Sequence, residues 1–179
     1  MASMVVFRCT QKLRQRMGQT GLSQQPPPKS STRLGDWYAN AISVHRQHVV
    51  LAVSGVTLMP VLVPAAPYKT MTTRFVEAAG EILRALGVPD ATVAEELSAM
   101  RDMVVAPTND RRILGSMNDF AFMAEGYAEH FDGLSLRDVA LKLAEAPCSP
   151  LGMNNPRDAT RALFSVPTLR LVKNPASAQ

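Results

Sequence analysis

Acidic residues are missing from the start of this chain: none precedes Asp36, while Arg8, Lys12, Arg14, Arg16, Lys29 and Arg33 all do. The net charge of +4 therefore sits in the leader, and the rest of the chain is slightly acidic. Cysteine is scarce. The two residues, Cys9 and Cys148, lie far apart and match no zinc or redox spacing; their number allows one disulfide, but nothing else looks secreted, and reduced cytosolic thiols are the expectation. No apolar run approaches a membrane span; the longest, at 56–66, holds Thr57 and is broken by Pro60 and Pro64. Met4–Phe7 is too short for a signal-peptide core. Three histidines without HxH, HxxxH or CxxC spacing give no metal site, and no cofactor is implied. Glycine-rich phosphate loops and the GxSxG elbow are also missing, which argues against a nucleotide-binding α/β fold and a serine hydrolase.

What is present is ordinary globular material. Of 179 residues, 46% are apolar and 19% charged, enough for one domain to bury a core without staples. Alternation predicts a strand over 3–10 and a short helix over 11–17 capped by Thr10. Residues 19–31, with three consecutive prolines, read as a loose loop. Three strands follow, at 37–44, 48–54 and 56–63, the last interrupted or at an edge because Pro60 cannot donate to a ladder. Helical periodicity begins at Tyr68, with Phe75, Ala79, Ile82 and Leu86 in its stripe, and Gly87-Val88-Pro89 stops it. Asp90 is expected to cap a second helix, and 103–106 reads as a strand returning to the sheet. Ser116 with Asp119, and Ser135 with Asp138, look like capping boxes; Asn155-Pro156 starts a last helix. The expected domain runs over 1–165, with a frayed tail at 166–179. Strands early and helices late argue an α+β fold: a small, mostly antiparallel sheet of four to five strands with helices on one face.

Two stretches hold polar residues that packing alone does not demand. In Thr32–Asn40 they are Arg33, Asp36 and Asn40 around the only tryptophan, Trp37. In Thr108–Phe122 they are Arg111, Arg112, Ser116, Asn118 and Asp119. Arginine beside carboxylates and amides suits an anionic ligand, a nucleic acid or a protein partner. Three readings follow. The first is a non-enzymatic binding protein in which Arg33, Asp36, Trp37, Asn40, Arg112, Ser116, Asn118 and Asp119 form one patch. The second is a small hydrolase or nuclease acting on a phosphate-containing substrate, with Asp36 or Asp119 as base and an arginine stabilising charge. In the third, both stretches are internal braces.

Four motifs carry a resemblance: FRCTQKL at Phe7–Leu13, TRLGDWYAN at Thr32–Asn40, RRILGSMNDFAF at Arg111–Phe122, and AEAPCSPLGMNNPRDATRALF at Ala144–Phe164. In this order, over nearly the whole chain, they resemble an uncharacterised bacterial family catalogued as a domain of unknown function. The resemblance implies a bacterial, cytosolic, single-domain protein, which argues against reading the acid-free leader as a transit peptide; it leaves Met1 and Met4 both open as the start and transfers no catalytic residue.

Overall fold

The computed structural model describes residues 3–167. Its centre is one five-stranded sheet in the order β4-β3-β2-β1-β5. The strands are β1 (Val5–Cys9), β2 (Trp37–Val44), β3 (Gln47–Ser54), β4 (Pro60–Pro64) and β5 (Met103–Pro107). β2, β3 and β4 form an antiparallel meander, and β1 joins it in parallel, with β2 on one side and β5 on the other. The sheet is thus mostly antiparallel by length of ladder, with parallel pairing confined to β1. Six helices complete the fold: α1 (Gln11–Arg16), α2 (Met71–Ala85), α3 (Asp90–Ala99), α4 (Arg111–His130), α5 (Leu136–Leu143) and α6 (Pro156–Leu163). The class is α+β, with a helical C-terminal half.

Local chemistry explains most boundaries. His45 and Arg46 both take positive φ, 49° and 63°, the geometry of the two-residue turn whose twist suits a hairpin. Thr10 caps α1 by accepting the Leu13 N–H, and Asn155 caps α6 ahead of Pro156. Ser135 and Asp138 form the reciprocal capping box that their spacing predicts. β4 begins only at Pro60 and not at Val56, since Gly55–Thr57 is spent on a turn and Leu58 follows it at φ 56°. As the proline demands, β4 is an edge strand.

Helices cover both faces of the sheet, not the one face expected. Phe75 of α2 packs on Phe7 and Trp37, with ring centroids 5.0 and 4.9 Å away. On the opposite face Tyr38 bonds Asn109 just before α4, and Val44 and Gln47 line one pocket with Ala128 and Phe131 at the α4 end and Val139 of α5. The reason is visible in β3, whose Val49–Val53 are all buried: a run without alternation needs cover on both sides.

The loop at 19–31 has no regular structure, yet its last residues are anchored. Ser31 and Ser30 accept the backbone N–H groups of Met4 and Val6, which β2 begins too late to pair. At the other end Val166 packs on the core and Pro167 accepts a bond from Arg161, so the tail is held at least that far. The remainder of the expected frayed tail lies outside the described residues.

Candidate functional site

Thr32–Asn40 folds inward. Thr32 closes a tight turn by donating to the Gly35 carbonyl, and Gly35 sits at φ 70° where a Cβ would come within 2.8 Å of Val56. Leu34 is fully buried. The N–H groups of Arg33 and Leu34 both donate to the buried carboxylate of Glu96 on α3, at 3.1 and 3.0 Å. Ser54 donates to the Leu34 carbonyl, and Gly55 to that of Asp36. One short turn thereby ties β2, the β3–β4 corner and α3 together.

The side chains singled out in this stretch are largely occupied. Asp36 accepts from Arg8 Nε at 2.7 Å through one oxygen and from the Ser30 hydroxyl at 2.6 Å through the other. Arg8 in turn donates to the Pro107 carbonyl, joining β1, β2 and the end of β5. Trp37 is fully buried, edge-on to Phe75, and its indole N–H has no acceptor among the described residues. Asn40 accepts from the Thr10 hydroxyl at 2.7 Å. Only Arg33 keeps an exposed head group, 3.9 Å from Glu95 and above the Phe164 ring.

Arg111–Phe122 is built differently, on the first three turns of α4. The helix does not open at Ser116: Asp110 caps it, accepting from Arg112 and Ile113, six residues before the expected cap. Asp110 stands three residues ahead of Ile113, the first member of the inward stripe that continues through Met117, Phe120 and Ala124. Those bonds from Arg112 hold its carboxyl below the usual range. Ser116 and Asp119 therefore lie mid-helix, one buried and one exposed. Both line a groove of about 340 Å³ between α4 and the segment Ala146–Ser149, with Phe120, Phe122 and Met123 on its α4 wall. Arg112, 3.6 Å from Asp110, and Asn118 face solvent. Phe122 is 84% exposed.

The side chains expected to form one patch are not bonded to one another across the two stretches. No hydrogen bond or ion pair among the described residues joins Arg33, Asp36 or Asn40 to Arg112, Ser116, Asn118 or Asp119. The two stretches are bridged instead by Tyr38, whose hydroxyl donates to Asn109 at 2.6 Å. Burial pushes the Tyr38 phenol up, against the pull of Arg8 and with a push from Asp36 and Asp110. Sequence reasoning missed Asn109, Arg8, Ser30 and Glu96, and it read Tyr38 only as a stacking surface beside Trp37, not as a bridge. Arg8 was the one with a signal, a charge beside Phe7 and Cys9 in an otherwise apolar strand.

The chemistry within reach is modest. Cys148, in the groove, has its thiol pushed up by burial and further by Asp119, so it remains protonated at neutral pH and is a poor nucleophile. Cys9, fully buried, is pushed up to about 12 by burial, with Arg14 opposing. Among the described residues no three His, Cys, Asp or Glu side chains cluster as metal ligands, and no helix is long and apolar enough to cross a membrane.

Fold and groove together define a single-sheet α+β protein with an internally braced turn on one side and an open helix face on the other. Residues 6–159 match the family model described as Domain of unknown function (DUF6933), and the chain belongs to that family. Neither the curated proteins nor the solved structures gave a match.

Proposed function

We propose that this is a non-enzymatic binding protein of the bacterial cytosol that engages a protein partner through the outer face of α4 and the adjoining Ala146–Ser149 segment. One observation carries the reading: Phe122 stands 84% exposed at the lip of a groove whose walls are partly apolar. An aromatic side chain left in water at the lip of a partly apolar cleft gives a partner a ring to bury and a pocket to fill in the same contact. Two free, buried thiols suit a reducing compartment.

The competing readings have less support. For a hydrolase or nuclease, Asp36 has both oxygens engaged by Arg8 and Ser30, and a base needs a free one. Asp119 is free of that objection but faces a protonated thiol rather than a cationic stabiliser. For an anionic ligand or nucleic acid, the leader loses Arg8 to Asp36, while Lys12 and Arg16 remain exposed on α1. Salt-sensitive binding of single-stranded nucleic acid that falls when Lys12, Arg14 and Arg16 are neutralised would favour that reading instead.

A photo-crosslinking residue placed at Phe122, with Glu95 as an exposed control position, tests the proposal in the native host. Protein adducts from position 122 and none from position 95 are expected. Adducts from neither position, or equally from both, contradict it.

A further inference from the structure

We infer that the partner seated on this face is a second copy of the chain, docked through an antiparallel contact between the two α4 helices. The inference rests on the docking reading above and names its occupant. Arg111, Gly115, Asn118, Phe122 and Glu129 recur at helical spacing on the side of α4 opposite its buried stripe, and all five are exposed. Gly115 has open space where a Cβ would point, as does Gly126 one turn beyond Phe122. Glycine weakens a helix interior relative to alanine, and nothing within the monomer requires it at either position; two bare sites flanking an aromatic let another backbone approach closely.

The charges choose the orientation. Arg111 and Glu129 are eighteen residues apart, five helical turns, so they share one side of α4 at opposite ends, about 27 Å apart. A twofold axis across the helix near Phe120 sets Arg111 against Glu129 of the other copy, twice, and brings each Phe122 beside Asn118 and the groove edge at Asp119. A parallel pairing would set Arg111 on Arg111 and Glu129 on Glu129, which repel. The contact is therefore self-complementary, as a closed dimer requires: each copy offers a knob, Phe122, and a groove, lined by Ser116, Asp119, Met123 and Cys148.

Sedimentation velocity of the full chain over a concentration series reads the outcome. The wild type is expected to dimerise. Phe122→Asp should abolish the dimer, with an unchanged circular dichroism spectrum because the side chain is exposed. Arg111→Glu and Glu129→Arg should each raise the dimer Kd roughly tenfold by breaking both symmetry-related pairs. The double variant R111E/E129R should restore it, a rescue that no other dimer geometry predicts. A chain monomeric throughout, a dimer indifferent to Phe122→Asp, or a double variant no better than the singles overturns the inference. Monomers that still give Phe122-dependent adducts with a different protein overturn self-association while leaving the docking reading intact.

Discussion

Thr32–Asn40 and Arg111–Phe122 share a composition and have opposite fates. In the first, arginine, aspartate and asparagine surround a tryptophan that is fully buried, and the turn's backbone and its carboxylate are held by Glu96, Ser54, Arg8 and Ser30. In the second, the same residue types lie along a helix that spends its inward face on Ile113, Met117, Phe120 and Ala124 and leaves Arg112, Asn118 and Phe122 in water. A polar residue near an aromatic becomes a brace where the chain turns through the core. It becomes a contact where a helix shows its outer face.

That contrast is open to attack at both ends, and the largest effect is expected at Trp37. Trp37→Ala removes a fully buried ring from between Phe7, Phe75 and the sheet, and should lower urea-unfolding stability by about 3–5 kcal/mol. Next comes Glu96→Ala, which strips the acceptor from two backbone N–H groups; on the order of 1–3 kcal/mol per orphaned donor is expected in the same assay. Loss of either stability effect would move Thr32–Asn40 out of the brace category.

Effects at α4 should be smaller and pH-linked. Asp110→Ala removes the helix cap, worth about 1 kcal/mol at neutral pH. The carboxyl of Asp110 is depressed in the folded state, so its contribution is present above the ordinary aspartate range and fades as pH falls through the lowered value. Wild type and variant should therefore converge in stability in acid. Smallest, and opposite in sign, is Gly115→Ala, expected to stabilise α4 by about 0.5–1 kcal/mol because its Cβ meets nothing within 4 Å. The same methyl should weaken docking.

Cysteine reactivity sharpens the functional side. Cys148 should react slowly with a thiol reagent at neutral pH and faster as pH rises, while Cys9 should stay inert until the protein unfolds. Rapid modification of Cys148 at neutral pH would revive a nucleophilic reading of the groove.

The α+β class, five strands and most helix ends were legible because they rest on local signals: proline at an edge strand, Ser135 with Asp138, Asn155 before Pro156. The start of α4 was misread because Ser116 and Asp119 have capping-box spacing, and only the depth of Ile113 in the core reveals that the helix is already under way. Cover on both sheet faces follows from the unbroken apolar run of β3, whereas the order of strands early and helices late carries no information about faces. Contacts such as Arg8 with Asp36, twenty-eight positions apart, or Glu96 with Arg33, sixty-three apart, have no local signature at all. Phe122 was hidden for a related reason: its stretch reads as polar, and only the helix phase set by Asp110 turns that ring outward.

One paired measurement bears most directly on the contrast: self-association of Phe122→Asp, and its unfolding stability at a concentration where the wild type is monomeric. The account predicts stability within about 0.5 kcal/mol of wild type, as for an exposed position, together with loss of concentration-dependent sedimentation. A stability loss on the scale expected for Trp37→Ala, with association unchanged, would contradict it.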